Sequence, residues 1–270
     1  MTWKRIMVPL AGTEDDAKAL AGGRTVAEAF NAELAAIHAP ADIADLMPWM
    51  GEGFMGGVQV SAIDSLKEAA DAGEKAARAA CEACAYPKTD FASLPSPVWA
   101  GLAMEARLSE VVVFDQQPAS GRGPLSEAFQ QTVADEQRPV LVVRDGFRLD
   151  GTALIAWDGG KESTRAARKA VPLLKKAARV VIAGAPGASS RSFEQARLQA
   201  FLAARGVKAE TRIVEGTGDA GNLLLEVARD ISADLLVAGA FGHTRLREYI
   251  FGGTTRTLLN SDGPSLFLSH

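Results

Sequence analysis

Two cysteines, three histidines and no long apolar run set the first limits on this chain of 270 residues. Cys81 and Cys84 form a lone C-x-x-C, "CEAC", inside an Ala-rich stretch of helical pattern. A zinc site needs a second ligand pair, and a thiol redox pair sits at a helix start beside a strand, so these read as two reduced cysteines of a helix. Nothing approaches the roughly 18 consecutive apolar residues of a membrane span. The opening "MTWKRIMVPLAG" is too short and too mixed for a signal peptide and reads as a first strand, so a cytoplasmic protein is expected. A basic excess is missing as well: 29 Lys and Arg face 33 Asp and Glu, a net charge of −4, so nucleic acid is not an expected partner. The P-loop pattern G-x-x-x-x-G-K-[ST] and the dinucleotide pattern G-x-G-x-x-G after the first strand are both absent. No serine sits in a nucleophile-elbow context, so no catalytic residue and no metal ligand is assigned.

What is present is a repeated alternation of apolar runs and helical patterns. In the second half the runs are "TALIAW" (152–157), "ARVVIAG" (178–184), "AETRIVEG" (209–216), "ADLLVAG" (233–239) and "PSLFLS" (264–269). Between them "STRAARKAVPLLKKA" places Ala166, Ala167, Ala170, Val171 and Leu174 on one helical face. The first half repeats the plan with "WKRIMVPL" (3–10), "AELAAIHA" (32–39), a faint third strand within 89–100, "SEVVVFD" (109–115) and "RPVLVVRD" (138–145). Runs without polar alternation belong to strands covered on both faces. The expectation is an α/β protein of two tandem doubly wound domains, 1–147 and 148–270, with the boundary in "RDGFRLDGT". Self-alignment supports the repeat: Pro139 falls on Pro264 at an offset of 125, and "RIMVPLAGT" falls on "TALIAWDGG" at 147. About twenty extra residues therefore lie in the first half. They include "DLMPWMGEGFMGGVQV" (45–60), read either as a flap or contact surface or as a packed helix and loop.

One stretch stands out, "GAFGHTRLREYIFGGTT", from Gly239 to Thr255. It leaves the carboxyl end of a strand, where ligands of open α/β sheets bind. Glycine lets a ligand approach the backbone, and the helix starting at "GGTT" offers free N–H groups to an anion. Asp158, after "TALIAW", lies at the same edge as a partner for a base or ribose, or as a helix cap. Gly239-x2-Gly242-x9-Gly252, beside a strand ending in Asp158-Gly159, resembles the nucleotide motif of the universal stress protein family. The whole chain resembles the tandem form of that family.

The resemblance implies Rossmann-like domains, akin to adenine nucleotide alpha hydrolases, each with a five-stranded parallel sheet of order 3-2-1-4-5. It implies ATP or AMP, with or without Mg²⁺, bound in the second domain. Asp158 and Gly159 would meet the adenine or ribose, Ala183 would lie near the base, and Gly239, Gly242 and His243 would run beside ribose and phosphates. Gly252, Gly253, Thr254 and Thr255 would hold phosphate. Gly253 stands where the family has Ser or Thr, so the hydroxyl moves to Thr254. Arg245, Arg247 and Arg256 are further cations around the same stretch. Offsets of 125 and 147 place Phe114, Gln117, Glu127 and Ala11 at the motif positions of the first half, so no nucleotide is expected there. The two halves are then expected to form an intramolecular pseudo-dimer, with a homodimer as a further option. Three functions remain open: a nucleotide-binding stress or regulatory protein, a nucleotide-free scaffold, and a weak ATPase or nucleotidyl-transfer enzyme.

Overall fold

Most of the short apolar runs become strands buried on both faces and covered by the helices between them, while the third strand of each half, Thr89–Ser93 and Glu210–Ile213, is half-buried or exposed. The computed structural model describes residues 2–40, 57–95, 97–184, 194–240 and 253–270. Most of the Met- and Gly-rich 45–60 stretch lies outside them. The chain divides into two compact units, Lys4–Phe129 and Gln130–His270, the latter joined by Met1–Trp3.

In the first unit the order is β1 (Arg5–Leu10), α1 (Asp16–Phe30), β2 (Glu33–His38), α2 (Gly57–Cys84), β3 (Thr89–Ser93), α3 (Val98–Arg107), β4 (Val111–Phe114) and α4 (Gln116–Ala119). Helix α5 (Ser126–Ala134) begins in this unit and ends in the next. The strands lie parallel in the order β3-β2-β1-β4. Glycine decides how closely helices approach. A Cβ on Gly23 of α1 would lie 2.5 Å from Val8 Cγ2. Gly12, at φ +75°, meets α2 still more closely: a Cβ there would stand 2.4 Å from Gly73 Cα. Cys81 and Cys84 are free thiols on α2, and burial pushes the Cys81 thiol up to about 12. A thiol held that far from its thiolate is inert, in keeping with a packed helix cysteine.

The second unit contains β5 (Val140–Val142), β6 (Thr152–Ala156), α6 (Lys161–Leu174), β7 (Arg179–Gly184), α7 (Gln195–Ala203), β8 (Glu210–Ile213), α8 (Ala220–Asp230), β9 (Leu235–Gly239), α9 (Gly253–Asn260) and β10 (Ser265–Ser269). Five strands run parallel as β8-β7-β6-β9-β10, which is the expected 3-2-1-4-5. The buried face of α6 carries Ser163, Ala166, Ala167, Ala170, Leu173 and Leu174; Leu173 takes the place expected for Val171. Strand β5, fifth in the first half by sequence, pairs antiparallel with β10, Leu266 opposite Val142 and Leu268 opposite Val140. Just after β5, the buried Arg144 donates from Nη2 to Leu258 O (2.7 Å) and from Nη1 to Pro264 O (2.8 Å), and its N–H donates to Ser265 Oγ (3.0 Å). It thereby closes the carboxyl end of α9 with a positive charge, the favourable sign for that end.

Gly12→Ala is expected to cost roughly 1–3 kcal/mol through the clash with α2 added to left-handed strain. Gly121→Ala, at φ +77° with nothing within 4 Å of its Cβ, serves as the control with strain alone. A larger drop in urea midpoint for Gly12→Ala than for Gly121→Ala checks the contact.

Candidate functional site

At the carboxyl edge of the second unit, β6 runs into a tight turn before α6. Trp157 N–H still donates to Ala183 O (2.7 Å), and then the chain turns through Asp158, Gly159 and Gly160. Gly159 sits at φ +72°, a conformation that favours glycine. The Asp158 carboxylate accepts from Gly160 N–H (2.8 Å) and from Ser163 Oγ (2.5 Å). Asp158 fastens the turn into α6 from outside the helix, where Gly160 is the N-cap residue and no side chain caps the helix backbone, and it remains exposed at the sheet edge. Ala183 is fully buried with its carbonyl committed to Trp157, so only its neighbourhood, not its side chain, faces the edge.

Gly239 ends β9 against the same turn. A Cβ on it would stand 2.6 Å from Ser163 N and 2.8 Å from Glu162 Cβ. The expectation gave this glycine to ligand approach; the structure gives it a packing duty, because the first turn of α6 fills the space. Asp158, Gly159 and Gly239 are thus brought together around Ser163. Gly242, His243 and Gly252, with Arg245 and Arg247, lie outside the described residues. Helix α9 opens at Gly253, which is exposed, and a Cβ there would meet only Asp219 Oδ2, at 3.9 Å. Thr254 is half-buried on the first turn, whereas Thr255 is buried at 5% exposure and belongs to the packing of α9. Arg256 is exposed on the same helix.

Asp219 was not among the expected site residues. It caps α8, accepting from Asn222 N–H (3.1 Å), and stands beside the start of α9 because α8 and α9 pack closely at Gly221 and Thr257, where a Cβ would come within 2.6 Å. The sequence signal for it is the "GTGD" before the helix "AGNLLLEVARD", an Asp at a cap position. Among the described residues no group of three or more His, Cys, Asp or Glu is placed to hold a metal ion.

The first unit builds the same edge with different chemistry. In the sheet Ile6 pairs with Val111 and Ala153 pairs with Leu235, so the offset is 147 along the first strands (6 to 153) and 124 along the fourth (111 to 235). The counterpart of Gly239 in the first unit is therefore Asp115, one place beyond the expected Phe114. Phe114 is buried edge-to-face on Phe129 at 5.3 Å. Asp115 is buried too, near Asp15 and Lys18 of the α1 start, and its carboxyl is pushed above the usual carboxylate range by burial. The alignment slipped because "VVV" and "LLV" carry no marker of register.

Beside it lies a buried polar group. Asp16 accepts from the N–H groups of Ala11 (3.0 Å) and Gly12 (2.8 Å). His38 Nδ1 lies 2.9 Å from Ser93 Oγ, and Ser93 in turn hydrogen-bonds the Glu74 carboxylate. Donation from Nδ1–H to Ser93 and from Ser93 O–H to Glu74 satisfies that chain. His38 Nε2 is left buried without a partner, 3.3 Å from where a Cβ of Gly73 would stand. His38 reads here as structural.

Taken together, the second unit is a doubly wound α/β domain with an exposed acid-and-glycine edge. Residues 151–261 match the model of the universal stress protein family. The whole chain is similar in fold to a universal stress protein of Archaeoglobus fulgidus, with 15% identity, 98% of this chain and 95% of that one covered, and a TM-score of 0.66. It is also similar to a functionally unknown protein of Pseudomonas aeruginosa, with 15% identity, coverage of 99% and 92%, and a TM-score of 0.56. No curated protein matches the sequence. No helix among the described residues is long and apolar enough to cross a membrane.

Burial holds the His38 imidazole below its ordinary value of 6.5, against the opposing pull of Glu74 and Asp16. A folded value below the unfolded one means that the unfolded state binds the extra proton first. Stability from this group is therefore full above about pH 6.5 and falls as the pH drops from there toward the folded value. Unfolding free energy of His38→Gln, measured across pH 5 to 7 (roughly the window below the histidine reference value), should show a shallower slope than the parent; equal slopes would assign the pH dependence to other groups.

Proposed function

We propose that the C-terminal domain binds an adenine nucleotide and that the chain acts in stress response or regulation through occupancy of that site. The observation that carries this reading is the pairing, at one carboxyl edge, of an exposed carboxylate fixed by two hydrogen bonds with a helix that opens on an exposed glycine. Asp158 is oriented to accept from a ribose hydroxyl or an adenine amino group. The N–H groups of Gly253 and Thr254 are the phosphate donors, with Gly242, His243 and Gly252 assigned to the same ligand by the motif. The start of α9 is open for a ligand, since among the described residues a Cβ on Gly253 would meet only Asp219 Oδ2, at 3.9 Å. The first unit has carboxylates at the corresponding turn and α2 packed against it, so occupancy is assigned to the second domain alone.

Direct titration of the ligand-free protein with ATP and AMP tests the proposal: saturable binding is expected, and none at millimolar ATP would end it. Asp158→Ala should weaken binding roughly tenfold while losing about 1 kcal/mol of stability with its two hydrogen bonds at the turn into α6. Gly252→Glu, which copies the first half's Glu127, should abolish binding and leave the fold intact.

Asp219 adds a charge argument. A carboxylate near the start of α9 repels a bare triphosphate, and a divalent cation between them offsets that repulsion. ATP is accordingly expected to bind more tightly with Mg²⁺ than without. Asp219→Asn should narrow that difference by strengthening Mg²⁺-free binding; an unchanged Mg²⁺ dependence would place the phosphates away from Asp219.

A further inference from the structure

Arg165 and Lys169 lie four residues apart on α6, beside its buried face, and so project from the same flank. Lys169 Nζ donates to Gln137 O at 3.0 Å. Gln137 sits at φ +48°, a conformation side-chain-bearing residues seldom adopt, and Arg138 follows it immediately before β5. The strained backbone thus presents its carbonyl to a lysine and brings a second arginine alongside. Burial above all, with the charges of Arg138 and Arg165 nearby adding to it, lowers the Lys169 ammonium to about 8.

Three cations converging in a half-buried place repel one another, and their separation from water adds to the cost. Arg165 Nη1 is buried and has no hydrogen-bond partner among the described residues. Among the described residues no carboxylate pairs with Arg165 or Lys169, and Glu162, three residues before Arg165, makes no ion pair with it. A buried guanidinium N–H without an acceptor is an unmet demand for an oxygen anion. A tetrahedral dianion meets both demands: its oxygens match the guanidinium fork, and its charge removes the repulsion.

We propose that Arg165 and Lys169, with Arg138 beside them, form a binding site for a phosphate dianion or small phosphate monoester. This site is separate from Asp158, which is fastened to Gly160 and Ser163 at the start of the same helix. It does not rest on nucleotide binding, and either can fail without the other.

The test uses the full chain with its lysines ¹³C-methylated, titrated with inorganic phosphate or with phenyl phosphate at constant ionic strength, and with chloride as the control. Saturable change at Lys169 is expected with the phosphates and none with chloride. The Lys169 titration, near pH 8 without ligand, should move upward by about one unit or more when the anion binds. Arg165→Gln should weaken phosphate at least tenfold, about the effect of one lost charge-assisted pair, and it removes no hydrogen bond seen within the protein. Binding by inorganic phosphate alone identifies the free ion as the ligand class, and equal binding by phenyl phosphate extends it to monoesters. An equal response to chloride or full affinity in Arg165→Gln would each overturn the proposal.

Discussion

One carboxylate closes the turn from the first strand into the first helix of each repeat, and the character of the whole sheet edge follows from which residue supplies it. In the second unit Asp158, on the strand side, reaches forward to Gly160 N–H and Ser163 Oγ. In the first, the strand-side position is Ala11 and the helix-side position is Asp16, which reaches back to the N–H groups of Ala11 and Gly12. The offset of 147 relates the two pairs, 11 to 158 and 16 to 163. The same turn is held in both cases. The charge, however, stays exposed in the second unit and is only 3% exposed in the first. With the charge tucked in, Gly12 is free to receive the backbone of α2 at Gly73, and His38, Ser93 and Glu74 join a polar chain beneath that helix. One edge is built over by its own chain and the other keeps its carboxylate facing outward.

Most of the fold was legible because it depends on local pattern. Runs such as "RIMVPL" and "LLVAG" announce strands covered on both faces, the offset repeat showed the tandem plan, and the family resemblance supplied the strand order. What escaped the sequence is tertiary. Strand β3, "TDFAS", is half-buried and nearly featureless, so its limits could not be read. The register of β4 slipped by one because a run of valines has no landmark. Gly239 shows the limit at the site itself: a glycine kept small for a helix turn and one kept small for a ligand have the same sequence signature. Asp219 was passed over because a cap residue gains a second meaning only when another helix, α9, starts beside it.

Arg144 makes the same point about long-range design. By sequence it opens a polar linker, "RDGFRLDGT". In the structure it is buried, its charge placed at the carboxyl end of α9 and its N–H bonded to Ser265. Burial lowers its ordinarily very high proton affinity, while Asp262 nearby works the other way. The helix that opens on Gly253 is therefore fixed from behind by a residue more than a hundred positions earlier in the chain. A linker position that the composition marks as expendable is tied to the geometry of the edge it supports.

The antiparallel pairing of β5 with β10 gives residues 138–147 a protective duty. The last strand of a parallel sheet ordinarily presents a row of unpaired N–H and C=O groups, a template on which other chains can add. Here Val140, Leu141 and Val142 occupy that row opposite Leu268, Phe267 and Leu266, all buried. A fragment begun at 148, where the sequence places its natural division, would leave β10 bare along a fully apolar stretch. The shortest piece able to stay solitary therefore reaches back past the visible repeat boundary to the strand that shields its edge.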